Sequence, residues 1–186
     1  MKAARKRRQS VVDREWNPPL KSERLRLSPL APEDADELMV VLSDPSLYRF
    51  MGGAPPKLGE LQRRYRLLAN RRSPDGEELW LNWVIRDRNT EKVLGTLQAT
   101  IEESPPKALI AWVLGTEAQG QGYASESARA LTSFLGDRGV VEVRAHIHPD
   151  HIASNRVAAA IGMEPTQTWE DGERAWRLTY NTETSD

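Results

Sequence analysis

The sequence predicts an α+β domain: a mixed central sheet of about seven strands with helices on both faces. Three observations lead there. Between Leu79 and Leu114 three alternating apolar and polar runs follow one another across short turns, the pattern of an antiparallel meander. After Leu114 a glycine turn, Gln119-Gly120-Gln121-Gly122, runs into an amphipathic helix whose Ala124, Ala128, Leu131 and Leu135 share one face. A strand, a second helix and a hairpin then close the order, without the early β-α-β units of a doubly wound fold.

In chain order, Arg24-Leu25-Arg26-Leu27-Ser28 alternates and reads as the first strand. Ala31-Pro32-Glu33-Asp34 opens a helix through Leu42, with proline and acidic residues where the helix start favours them. Pro45 to Met51 is a short helix or turn, and Gly52-Gly53-Ala54-Pro55-Pro56 a loop. Leu58 to Arg72 is helical, with Arg63, Arg64, Arg66, Arg71 and Arg72 on a basic side that is either a solvated face or a dock for an acidic partner. Ser73-Pro74-Asp75-Gly76 turns the chain. Leu79 to Arg86 and Lys92 to Glu102 are the second and third strands, across Arg88-Asn89-Thr90. Leu109 to Leu114 is the fourth, after Ser104-Pro105-Pro106. The helix after the glycine turn ends at Gly136 or Gly139. In the fifth strand Val141, Val143, Ala145 and Ile147 point one way and His146 and His148 the other. Ile152 to Ile161 is the last helix, stopped by Gly162. Strands around Thr166 to Glu170 and Glu173 to Tyr180 flank the hairpin turn Asp171-Gly172.

Composition bounds the function. A chain of 186 residues, 39% hydrophobic and 28% charged, suits one domain with a real core. No apolar run approaches the length of a membrane span. A formal net charge of -1 supplies no field to recruit nucleic acid. The absence of Cys removes disulfides, thiolate nucleophiles and cysteine-held zinc. The N-terminus lacks the apolar stretch of a signal peptide, so the cytoplasm is the expected compartment. Residues 1–19, with Lys2, Arg5, Lys6, Arg7 and Arg8, read as a basic disordered arm ahead of a single domain at 20–182. The arm is either a solvated tail or a contact for RNA or an acidic surface.

The glycine turn carries the functional argument. The first amides of a helix have no internal partners and sit at the positive end of its dipole, so a strand turning through glycines into a helix makes an anion site. Gly120-Gln121-Gly122 is not the dinucleotide fingerprint, because Ser125 stands where its third glycine belongs.

In this context Gln119-x-x-Gly122-x-Ala124 resembles the Q/R-x-x-G-x-G/A signature of the GNAT superfamily of acetyl-CoA-dependent N-acetyltransferases. Glu23-Arg24-Leu25-Arg26-Leu27 followed by Pro32-Glu33-Asp34-Ala35 resembles its RimJ/RimL-like branch, as does His148-Pro149-Asp150-His151-Ile152-Ala153-Ser154-Asn155. The resemblance spans about residues 20–180. It implies a splay between the fourth and fifth strands, with acetyl-CoA lying across it. The pyrophosphate would rest on Gln119, Gly120, Gln121, Gly122, Tyr123, Ala124 and Ser125. The peptide-like pantetheine arm would pair with main-chain groups of Val113 and Leu114, near His151, Ser154 and Asn155. His151 stands where the family often has Asn. The tyrosine that many relatives use to protonate the leaving thiolate is replaced by about Ala158. In the RimJ/RimL-like branch a serine on this helix can take that role, which makes Ser154 the candidate general acid.

Amide formation from a thioester also needs a neutral amine. A lysine of pKa about 10.4 costs about 4.6 kcal/mol to deprotonate at pH 7, whereas an α-amine of pKa about 7.7–8.0 is already roughly 10–17% neutral. The sequence offers only weak bases: Glu103 and His148, beside Glu77 and Glu78, with Asn82 able to position a water. This tilts the acceptor toward a protein N-terminus, ribosomal or other, or another amine of low pKa. Trp80, after the Gly76-Glu77-Glu78 turn, and Asn82 are the candidate acceptor-site residues. The alternative class is a CoA-binding sensor without turnover. Either would act as a monomer or homodimer.

His146-Ile147-His148-Pro149-Asp150-His151 also matches the H-x-H-x-D-H run of metal-dependent hydrolases. These are the only three His of the chain, so the further imidazole ligands of such a site cannot be supplied. The reading that remains expects no metal.

Overall fold

The computed structural model describes residues 16–103 and 105–180, and the basic run from Lys2 to Arg8 lies outside them. The strands are β1 (Leu20–Lys21), β2 (Leu25–Pro29), β3 (Glu78–Asp87), β4 (Val93–Glu103), β5 (Pro106–Leu114), β6 (Glu142–Ile147), β7 (Glu164–Glu170) and β8 (Glu173–Thr179). The helices are α1 (Ala35–Val41), α2 (Tyr48–Met51), α3 (Leu58–Leu68), α4 (Tyr123–Asp137) and α5 (Ile152–Ala160). The strands form one mixed sheet in the order β1-β2-β3-β4-β5-β6-β8-β7.

Alternation decides which face each strand offers. Leu79, Leu81, Trp83 and Ile85 of β3, with Leu97, Ala99 and Ile101 of β4, pack against Ala128, Leu131 and Leu135 of α4. Ala158 of α5 joins the same core. On the opposite face Val84 and Val93 meet Leu38 of α1 and Leu61 and Tyr65 of α3. β3 is therefore covered on both sides, which is why Leu79 to Ile85 is nearly continuous in burial.

The α+β class and the helices on both faces stand as expected, with one strand more than the seven read from the sequence. The addition is β1, two residues pairing with Leu27 and Arg26 and too short to show a period. Other boundaries moved for local reasons. Pro32–Asp34 is a 3-10 turn ahead of α1. α3 stops at Leu68, and Arg72 bridges to Leu79. β5 starts at Pro106, whose missing N–H is tolerated at a strand end. α4 runs to Asp137 and closes with Val140 N–H on Leu135 O and Gly139 N–H on Gly136 O, the paired bonds of a Schellman end. Trp16 packs on the first core, Asn17 is buried, and Pro18 O accepts from Trp83 Nε1 at 2.8 Å.

Every neighbouring pair in the sheet is antiparallel except β5 and β6, which run parallel. Their pairing covers only Lys107↔Glu142, Ala108↔Val143 and Leu109↔Arg144. From Ile110 onward the strands diverge, and β5 presents an open edge that ends at the glycine turn.

Candidate active site

The glycine turn is built to leave amides free. Gly120 and Gly122 have φ of +73° and +80°, a region L side chains rarely enter, so glycine at Gly122 lets the chain swing into α4 without a Cβ penalty. The first α4 bond is Glu126 N–H to Gly122 O at 3.0 Å. The amides of Tyr123, Ala124 and Ser125 therefore have no helical acceptor. Those of Gly120, Gln121 and Gly122 donate to no group among the described residues. Six successive N–H groups at the start of a fifteen-residue helix form a cradle suited to a pyrophosphate.

Gln119 lies outside that cradle. Its N–H closes a 3-10 turn on Thr116 O at 3.3 Å, and its Nε2 donates to Leu114 O at 3.0 Å. The residue fixes the loop to the end of β5 instead of facing a ligand. Gln121 likewise ties back, through Nε2 to Glu117 O at 2.8 Å. A second tie crosses from the N-terminal strands. Glu126 accepts from Ser22 Oγ at 2.7 Å, from Arg24 N–H at 2.8 Å and from Arg24 Nε at 2.7 Å. Burial pushes the Glu126 carboxyl up, yet the Arg24 amide, the Ser22 hydroxyl and the guanidinium together hold it below the usual range.

The open edge beside the loop corrects one expectation. Gly115 N–H donates to Leu94 O at 2.9 Å, and Leu114 lies opposite Gly95. By the alternation of an antiparallel ladder, the main-chain groups of Leu114, Trp112 and Ile110 then face away from β4 into the opening, and those of Val113 face β4. Of the two residues expected to pair with the peptide-like arm, Leu114 presents its main chain to the opening and Val113 does not; Trp112 does.

Across the opening, α5 begins at the end of β6. Asn155 organises this corner: its Nδ2 lies 3.2, 3.0 and 3.1 Å from the carbonyls of His148, Pro149 and His151. The expected ligand contact of Asn155 is thus a loop-fixing one in its Nδ2. Ser154 sits on the first turn of α5, half-buried, and makes no hydrogen bond to another described side chain. Ala158, at the place where the resemblance implies a tyrosine, is fully buried in the first core.

The three imidazoles do not gather. β6 ends at Ile147, so His148 opens a turn and does not share the strand's polar face with His146. His146 Nδ1 lies 3.3 Å from Glu170. His148 Nδ1 accepts from Asp150 N–H at 3.2 Å, so that ring nitrogen already has a partner in its own turn. His151 stacks on Phe50 of α2 at 4.6 Å, with the His148 ring 5.2 Å from the same phenyl. Burial, with the charge of His148, lowers the His151 pKa below its ordinary value. Among the described residues no three His, Asp or Glu side chains cluster as a metal site.

On the α1/α3 face a cleft of about 380 Å³ is lined by Arg64, Leu67, Leu68, Trp80, Asn82, Gln98 and Thr100, among others. Both residues proposed for the acceptor therefore share one cavity, with Trp80 Nε1 donating to Glu78 at 2.9 Å. Gln98 and Thr100 were missed, although the period of two places them on the same side of the sheet as Asn82 and Trp80, and Arg64 was read only as part of the basic side of its helix. Gln98 in turn pairs with Ala111 and Thr100 with Leu109. The cleft therefore lies one strand, about 4.8 Å, from the point where β5 and β6 part. Glu103 closes β4; its side chain lies outside the described ones.

The site thus combines a sheet parted beside a turn of unpaired amides with a second cleft one strand away. The sequence model of the family described as acetyltransferase (GNAT) domain matches residues 24–164, and the chain belongs to that family. It is 25% identical over 158 residues to the uncharacterized N-acetyltransferase p20 of Bacillus licheniformis, covering 84% of this chain and 88% of the relative. Among solved structures it resembles RimL, a ribosomal L7/L12 α-N-protein acetyltransferase in complex with coenzyme A, with a TM-score of 0.72 and 20% identity over 87% of this chain and 98% of that one. It also resembles the aminoglycoside acetyltransferase AAC(6')-Ib in complex with coenzyme A, with a TM-score of 0.68 and 19% identity over 83% and 94%. At these identities the structural likeness establishes the fold. No described helix is long and apolar enough to cross a membrane.

Proposed function

We propose that the chain is an acetyl-CoA-dependent N-acetyltransferase that passes the acetyl group directly to a primary amine, either a protein N-terminal α-amine or a small-molecule amine. One observation carries the reading: six amides without a hydrogen-bond acceptor among the described residues, at the start of α4, adjoin a strand edge that has no pairing strand beyond Leu109 among them. The first binds a pyrophosphate and the second a peptide-like arm, and CoA carries both in that order. Acetyl-CoA supplies an activated acyl group. The rest falls to the chain's own residues.

The N–H groups of Trp112 and Leu114 face the opening and are placed to stabilise negative charge on a thioester oxygen. Ser154, on the opposite wall, holds a hydroxyl proton for the departing thiolate. Trp80, Asn82, Gln98 and Thr100 receive the acceptor and deliver its amine across one strand. The acceptor arrives partly neutral if it is an α-amine, and as the amide forms its nitrogen gives up the proton that replaces the one Ser154 passes to the thiolate. With no Cys in the chain, no acyl-enzyme is formed on sulfur. Thiol release from acetyl-CoA against a panel of peptides and small amines tests the reading. Ser154→Ala is expected to lower kcat by about 10²-fold with little change in CoA affinity; an unchanged kcat removes Ser154 from the chemistry.

A second reading, a CoA-binding module without turnover, draws on the burial of Ala158 where an acid would be expected. Tight CoA binding with no thiol release across the whole panel would favour it. Monomer and homodimer are both compatible with the site, which is built from one chain.

A further inference from the structure

Arg24 has no part in the scheme above, yet its side chain reaches both the glycine turn and the first turn of α4. Its Nε and Nη2 hold Glu126 at 2.7 Å, its Nη1 donates to Gln121 O at 3.0 Å, and its guanidinium lies 4.6 Å over the Tyr123 ring. A Cβ placed on Gly122 would come within 3.4 Å of Nη2. We propose that Arg24 is a positioning residue for the donor's pyrophosphate: it aims the cradle and screens the carboxylate beside it. The proposal rests on the acetyl-CoA reading and adds a residue to it.

Two physical arguments support it. The peptide between Gln121 and Gly122 is planar and trans, so its C=O and N–H point in opposite directions. Pinning Gln121 O to Arg24 therefore turns the Gly122 N–H away from Arg24, toward the side where the neighbouring amides are unpaired. The second argument is charge. Glu126 stands in the first turn of α4, only a few residues from where a doubly charged pyrophosphate would sit. A bare carboxylate there would oppose the anion that the helix start attracts. Arg24 cancels that charge, and the Ser22 hydroxyl and the Arg24 amide hold the carboxylate turned to β2. The N-terminal strands thus reach across the sheet to set the donor loop, which gives β1 and the start of β2 a role beyond covering the core.

The test uses the full chain and two donors that differ in the pyrophosphate. Isothermal titration gives the CoA affinity, and thiol release gives kcat/KM for acetyl-CoA and for acetyl-pantetheine, which lacks the phosphates. Arg24→Met is expected to weaken CoA about tenfold or more, the size of one charge-assisted contact, and to lower the acetyl-CoA over acetyl-pantetheine ratio by a similar factor. Arg24→Lys keeps the charge but cannot hold Glu126 and Gln121 O together, so its loss is intermediate. Glu126→Gln added to Arg24→Met restores part of the affinity, because the unscreened charge is gone. Thermal midpoints of each variant guard against global unfolding, and the Lys variant carries the test if the Met variant is not folded. CoA affinity within twofold of the parent, or equal losses for the two donors, overturns the assignment. A parent chain that binds no CoA overturns the donor reading itself, and Arg24's role falls with it.

Discussion

Gly95→Ala tests the close approach of β4 and β5 at the foot of the opening. A Cβ built on Gly95 would lie 2.0 Å from Val113 O and 3.0 Å from Leu114 Cα and Val113 C. All three are backbone atoms, so no side chain can swing aside. To restore the 3.0 Å below which real Cβ contacts essentially do not occur, the strands must part by about 1 Å at that rung. The neighbouring bond, Gly115 N–H to Leu94 O at 2.9 Å, would then be lost. Leaving one or two such groups unpaired costs about 1–3 kcal/mol each. The smaller entropy of unfolded alanine returns about 0.4–1 kcal/mol. With both groups of that bond unpaired the net loss is about 1–6 kcal/mol, and at about 2–4 °C per kcal/mol for a chain of this size the melting midpoint falls by about 2–24 °C. Calorimetry reads the midpoint, and titration with CoA reads the shift of Leu114 and Gly115 at the open edge. A midpoint within about 2 °C of the parent, with unchanged CoA affinity, would refute the reasoning.

Three further outcomes are expected. Gly122→Ala places a Cβ at φ +80°, costing about 1–2 kcal/mol, and should raise the CoA Kd by titration while the acceptor KM stays put. Glu126→Gln probes a carboxyl whose folded pKa is depressed. Such a group stabilises the fold fully above its unfolded pKa, about 4.3, and the contribution is lost as pH falls through the folded value. The variant should therefore melt lower at pH 7 and converge on the parent in acid; a gap that does not shrink as pH falls below the unfolded value would argue against a charge effect. Asn155→Asp sets a carboxylate oxygen against the carbonyls of His148, Pro149 and His151 and should cost about 1–3 kcal/mol in urea unfolding.

The fold was readable where residues face one neighbour in a regular period. Val143 to Ile147 and Ala124 to Leu135 announced a strand and a covering helix, because burial on one face of a pleat or a helix leaves a period of 2 or 3.6. β1 left no such trace, since two residues have no period. The glycine turn was legible because unpaired helix-start amides are a local property of the chain. What escaped depends on partners far apart in sequence. Val113 and Trp112 differ only in which strand their main chains address, and that is set by register against Gly95 and Leu97. Glu126 meets Ser22 and Arg24 across about a hundred residues, and Phe50 meets His151 only because α2 crosses to the start of α5. Spacing cannot announce such meetings.

The three-pair junction between β5 and β6 has a mechanical meaning. The sheet is two leaves, β1 to β5 and β6 to β8, with α4 as a spine that touches β2 and β5 on one leaf and α5 on the other. On the proposed donor reading, a ligand in the gap would act as a guest strand between the leaves, with its phosphates at the spine's tip. Recognition and cohesion would then share the same contacts, and the loaded molecule would resist parting along that line more than the empty one.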